Sequence, residues 1–166
     1  MSARLLFWRE PYHAQGACSA DMATRRLQAL LSTTSRFSAE ERLLGRIAGA
    51  RFRVWKRTLL GASADIVQLE GEISQGPCGA HIEGSFSYKA ATKIQFVGLL
   101  ALGLFIAASG LLQRLSGAAT SGDVILLGSG IAGLTALWIL GAYWMRGKQI
   151  DFLRSRMSEI LAPEVA

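Results

Sequence analysis

The sequence lacks the short signatures that announce an enzyme. It has no G-x-S-x-G nucleophile turn and no H-E-x-x-H zinc motif, and it holds two histidines, His13 and His81, in 166 residues. Hydrolase chemistry is therefore unsupported. The recurrent glycines of the period-two stretches form no G-x-G-x-x-G or Walker sequence, so they offer no nucleotide loop. The two cysteines, Cys18 and Cys78, match no zinc or redox spacing and read as plain reduced thiols. Despite a pI near 9.9 the basic residues form no compact run and no nucleic-acid motif, which argues against DNA or RNA as a partner. No cofactor is implied. Leu5 to Trp8 is apolar, but Arg9, Glu10 and Pro11 end the run too early for a signal peptide.

The most informative absence is of charge. Ile94 to Gln113 and Val124 to Met145, 20 and 22 residues long, contain no Asp, Glu, Lys, Arg or His. At 1.5 Å of rise per residue each run crosses roughly 30 Å of hydrocarbon, and a buried soluble helix rarely stays uncharged for so long. Both read as transmembrane helices joined by a ten-residue loop from Arg114 to Asp123. Without any of these five residue types in either span, the groups that usually carry proton relays and ion paths are missing, so a transporter or pump is disfavoured.

Basic residues beside the spans set the expected orientation. Lys89 and Lys93 precede the first, Arg146, Lys148, Arg154 and Arg156 follow the second, and the loop holds Arg114 and Asp123. The positive-inside rule then puts both termini in the cytoplasm. Tyr143 and Trp144 fit an interfacial aromatic anchor. The four basic residues after the second span are suited to anionic lipid headgroups, at about 1 kcal/mol each.

The first 93 residues have soluble composition, with 13 Lys/Arg against 8 Asp/Glu, and suffice for one small domain. Residues 1–20 read as a loose arm. Ala23, Leu27, Leu30 and Leu31 recur at helical spacing behind Asp21 as a cap. Ser38 to Glu41 has the form of a capping box, which predicts a second short helix closed by Gly45 and Gly49. Three period-two stretches follow, with Phe52 and Val54 set against Arg51, Arg53 and Lys56, then Val67, Leu69, Gly71 and Ile73, then Ile82, Gly84, Phe86 and Tyr88. These predict three half-buried strands in an antiparallel meander, with turns at residues 61–65 and at Gly76-Pro77. Glycines two residues before a large apolar residue, at Gly45, Gly71 and Gly84, predict a curved sheet or small open barrel in which another backbone comes close.

On these residues the chain resembles a class of largely uncharacterised bacterial inner-membrane proteins, in which a glycine-punctuated cytoplasmic sheet sits on a two-helix anchor. Gly45-Arg46-Ile47, Phe52, Gly71-Glu72-Ile73, Gly84-Ser85-Phe86 and Thr92-Lys93-Ile94 carry the resemblance, from about Leu44 to Leu104. It implies an architecture and a bacterial inner (plasma) membrane location, and no catalytic residues. The expected fold class is an α+β membrane protein. A small antiparallel β-meander or open barrel domain (21–93) precedes a transmembrane hairpin (94–113 and 124–145). A basic amphipathic C-terminal helix (146–166) follows, with Ile150, Leu153, Met157, Ile160 and Leu161 as a stripe that lies on the membrane or packs on the sheet.

Two constellations stand out. Glu70, Glu72, His81 and Glu83 share the polar side of neighbouring strands, a donor set for a divalent metal or a general acid. Alternation with arginines on the next strand favours a solvated lattice of ion pairs. Gly103 and Ala107 in the first span and Gly128, Ala132 and Ala136 in the second place small residues one turn apart, which lets helix backbones approach, and Ser129 with Gly133 makes a second ridge. Packing of the hairpin on itself is the simpler use of that face, and a homo-oligomer or membrane partner the other. The leading expectation is a non-enzymatic inner-membrane protein whose cytoplasmic domain binds a partner protein or lipid headgroup, as an accessory or immunity-like subunit would. A small homo-oligomeric pore or membrane-perturbing effector is the rival, and an enzyme using the Glu/His face is third.

Overall fold

The computed structural model describes residues 7–32, 42–57, 66–116 and 121–163. In chain order the elements are β1 (Arg9–Gln15), α1 (Ala20–Ser32), β2 (Arg42–Ala48), β3 (Arg51–Arg57), β4 (Val67–Gly76), β5 (Gly79–Tyr88), α2 (Ala90–Leu115) and α3 (Ser121–Leu161). They fall into two compact units, residues 1–89 with 145–166, and residues 90–144.

The first unit is built on a five-stranded antiparallel sheet of order β1-β5-β4-β3-β2. β2 to β5 are the expected meander, extended at its start by β2 and flanked by β1; β1 and β2 remain as edges, so the sheet is open and not a closed barrel. Two tight turns show why glycine is placed where it is. Gly49 opens the β2–β3 turn at φ 62°, the positive φ that a type II′ hairpin asks of its first central residue. Gly79 closes the β4–β5 turn at φ 125°, and a Cβ there would run into the backbone of Gly16, Ala17 and Cys18. That segment hydrogen-bonds across the turn, Gly16 N to Ala80 O at 2.9 Å and Ala80 N to Cys18 O at 2.6 Å. Gly45, Gly71 and Gly84 each press on a neighbouring strand's backbone, as their recurrence suggests: a Cβ on Gly71 would sit 2.5 Å from Glu83 O, and one on Gly84 2.5 Å from Glu70 O.

Strict alternation sends Phe52, Val54, Val67, Leu69, Ile73, Ile82, Phe86 and Tyr88 to one face, each no more than 4% exposed. α1 covers that face with Ala23 and Leu27, and the end of α3 covers it with Ile150, Leu153, Met157, Ile160 and Leu161, all 5% exposed or less. Of the two places open to this stripe, it takes the sheet. Each such side chain removed from water contributes about 1.5–3 kcal/mol. Polar contacts fix the docking. Val67 N donates to Gln149 Oε1 at 3.0 Å, and Arg26 Nη1 donates to the carbonyls of Ile160 at 3.2 Å and Ala162 at 2.5 Å. A guanidinium from α1 thus serves the orphan carbonyls, and the negative dipole end, of α3.

Four sequence expectations change. Arg9–Gln15, within the supposed loose arm, is β1, an edge strand where Pro11 is tolerated because one side has no ladder to feed. Arg42–Ala48 is a strand and not the continuation of a helix; Ser38 to Glu41 and the turn at 61–65 lie outside the described residues. Lys56 is in phase with Phe52 and Val54, so it points inward, 7% exposed, with Nζ 4.8 Å from the Phe152 ring centroid. The C-terminal helix is not separate: α3 continues through it without a break.

The second unit pairs α2 with the first part of α3. Both helices are long and apolar enough to cross a membrane, and 17% of the most apolar window of each is buried, unlike the core helix of a soluble protein. Ile94, Phe105, Leu112, Leu126, Leu134 and Trp144 are each at least 68% exposed. Between the helices, a Cβ on Gly103 would meet Ala132 N at 2.8 Å and Gly128 O at 3.0 Å, and one on Gly128 would meet Ala107 Cα at 2.8 Å. Gly110 lies against Val124 and Ile125, and Phe96 meets Trp138 edge to face at 5.1 Å.

Candidate functional site

The sheet face opposite the helices is the polar one, and the strand register orders it into rows. Ala48, Arg51, Glu72, Glu83 and His13 lie opposite one another in turn across β2, β3, β4, β5 and β1. Arg46, Arg53, Glu70, Ser85 and Pro11 form the next row. Positive charge therefore collects on β2 and β3, and negative charge on β4 and β5. An open depression of about 840 Å³ lies over these rows, lined among others by Arg46, Arg51, Arg53, Glu70, Glu72 and Glu83.

Two of the four acidic or imidazole candidates are engaged by arginine. Arg53 Nε lies 2.5 Å from Glu70 Oε1, which also accepts from Gln68 Nε2 at 3.0 Å. Arg51 Nε lies 3.8 Å from Glu72 Oε2, with both side chains more than half exposed. Exposed pairs of this kind contribute about 0–1 kcal/mol. Two like-charged pairs also face each other directly, Arg42 with Arg57 and Arg46 with Arg53.

His81 and Glu83 join a different neighbour. β1 brings His13 opposite Glu83, with Nδ1 to Oε1 at 4.0 Å. The rings of His13 and His81 are near parallel, 25° apart, with centroids 6.5 Å apart. Residue-level reasoning placed His13 in a loose arm and missed it; the signal was the alternation of Tyr12 and Ala14 against Arg9, Pro11 and His13. On the opposite face of β1, burial raises the Tyr12 phenol pKa above its ordinary value, and the Arg154 charge opposes part of that rise.

The remaining candidates are dispersed. Among the residues chosen for lipid headgroups, Arg154 donates to Glu10 at 2.7 Å, Arg156 pairs with Glu159 at 2.8 Å, and the Arg146 guanidinium sits 4.5 Å over the Trp8 ring; Lys148 is exposed. Tyr143 and Trp144 are 45% and 78% exposed. Of the small residues, Gly103, Ala107, Gly128 and Ala132 meet in one seam, Ala136 is half-buried, and Ser129 and Gly133 face outward. Comparison with protein-family models, curated proteins and solved structures gives no match.

Proposed function

We propose that this chain is a non-enzymatic, membrane-anchored binding protein whose sheet docks an acidic segment of a partner protein. The observation that carries the reading is the excess of arginine on the uncovered face of β2 and β3, where Arg42 stands opposite Arg57 and Arg46 opposite Arg53, with Glu70 offsetting Arg53. Like charges directly opposite destabilise a sheet, and an anionic ligand laid over β2 and β3 would offset the remaining positive charge. The depression above them gives such a segment room, and the glutamates of β4 and β5 would reject it in the wrong register.

Anchoring rests on the length and outward apolar surface of α2 and the first part of α3. In this reading the hairpin spans the bacterial inner membrane with both termini cytoplasmic, since Lys89, Lys93, Arg146 and Lys148 flank the spans. Tyr143 and Trp144 lie at the interface. Arg146 and Lys148 follow the second span directly and are the basic residues nearest to lipid headgroups in this reading, while Arg154 and Arg156 pair with Glu10 and Glu159. Gly103, Ala107, Gly128 and Ala132 meet inside the hairpin while Ser129 and Gly133 face outward, and the inner seam favours a simple anchor over a pore.

A photoreactive residue in place of Ser85, in full-length protein in its native membrane, tests the docking. The expected product is one protein adduct of discrete mass, lost when Arg42 and Arg46 are both changed to Glu in a protein that still inserts. An adduct with lipid alone, or one indifferent to the charge reversal, would overturn the reading.

A further inference from the structure

We propose that His13, His81 and Glu83 form a binding site for one divalent ion of the zinc class, on the outer face of the sheet where the edge strand β1 joins β5. The chain has two histidines, and the β1–β5 register brings both to one corner: His13 stands opposite Glu83, and Gln15 opposite His81. One donor atom from each of His13, His81 and Glu83 lies within 4.8 Å of the others. Four ligands around zinc at 2.0–2.1 Å stand about 3.3 Å apart. Closing the difference, about 1.5 Å, takes side-chain rotations, and His13 and Glu83 have the freedom for them with side chains 57% and 69% exposed.

The donor chemistry selects the ion. Two neutral imidazoles and a carboxylate suit zinc and its first-row neighbours, whereas calcium and magnesium take oxygen ligands. Three protein donors leave a further position for water, the arrangement of an open site. Charge argues the same way. Glu83 stands directly opposite Glu72 across β4 and β5, and like charges so placed repel. Arg51 neutralises Glu72 from one side, and a cation on Glu83 would neutralise the other. The four-residue set read from the sequence is thereby redrawn: Glu70 and Glu72 belong to arginines, and His13 takes their place. A bound ion would also tie the edge strand β1 to β5, so binding should be read in stability as well as in metal content.

The test uses the full-length protein in detergent, titrated with zinc against a micromolar chromogenic chelator and followed in parallel by thermal unfolding. One ion per chain is expected, together with a zinc-dependent rise in Tm. His13→Asn, His81→Asn and Glu83→Gln should each weaken binding about tenfold or more and remove the rise in Tm, while unfolding without metal as the parent does. Glu70→Gln/Glu72→Gln should bind as the parent does. The proposal is overturned by absence of saturable one-to-one binding, by undiminished binding in the double histidine variant, or by loss of binding in the Glu70/Glu72 variant.

Discussion

Gly128→Ala is the smallest change that probes the helix seam. The added Cβ would stand 2.8 Å from Ala107 Cα and 2.8 Å from Gly103 O, whereas carbon contacts are comfortable at about 3.5–4.0 Å. The helices must separate by about 1 Å at that point, and contacts on either side along the seam loosen with them. Overpacking of this kind costs about 1–3 kcal/mol. Alanine's better helix propensity returns about 1 kcal/mol, so the net expectation is a loss of up to about 2 kcal/mol. Gly130 and Gly133 supply internal controls, since a Cβ at either meets nothing within 4 Å. Gly130→Ala and Gly133→Ala should be neutral or slightly stabilising. Thermal unfolding of all three variants in one detergent, with oligomeric state followed by light scattering, decides the matter. Equal stability of Gly128→Ala and Gly130→Ala would refute the seam. A Gly128→Ala protein that keeps its stability but loses a larger assembly would show that the seam joins separate chains.

Other expectations follow from the sheet domain. Glu70→Gln/Glu72→Gln should change unfolding stability by no more than about 1 kcal/mol in denaturant titration, because the Arg51–Glu72 pair is exposed and the Arg53–Glu70 pair is open to solvent on its arginine side; a larger loss would mean that the lattice holds the sheet together. Tyr12 has its folded pKa raised above 10.0, chiefly by burial. The stability it gives by staying neutral is complete below the unfolded pKa and is lost as pH rises through the folded one. Tyr12→Phe should therefore lose less stability than the parent between neutral pH and pH values above about 10, and parallel curves for the two would contradict this. Cys78 is exposed and Cys18 half-buried, so an impermeant thiol reagent should label Cys78 first, and only after the cytoplasmic side is opened. Prompt labelling of intact cells would invert the orientation.

Strands were legible where period two was clean. Phe52 and Val54, Val67 to Ile73 and Ile82 to Tyr88 announce their buried side directly. β1 was hidden because its inward positions are Glu10, Tyr12 and Ala14, and Glu10 is acceptable there by virtue of Arg154, a partner 144 positions away. β2 was hidden because Leu44 stands on the polar side and Gly45 on the apolar one, so the alternation fails at its centre. Lys56 obeys the strand parity against its chemistry, its ammonium stationed near the Phe152 ring. The continuity of α3 was missed for a different reason. Hydropathy changes sharply after Met145, but hydropathy is not helix propensity, and Gly147 alone costs about 1 kcal/mol, too little to stop a helix already under way. The Glu and His candidates were legible as types, while their grouping depended on register, which no local pattern specifies for an edge strand.

That uninterrupted helix bears on how the protein is made. α3 runs 41 residues, about 60 Å at helical rise, and its last portion supplies Ile150, Leu153, Met157, Ile160 and Leu161 to the core of a sheet whose strands all lie before residue 90. During synthesis the inner faces of five finished strands therefore wait, half uncovered, while both apolar helices are translated. The sheet domain closes last, by a segment that emerges only after the hairpin has left the ribosome, so a chain halted between the two helices carries an open, aggregation-prone sheet that marks it as unfinished.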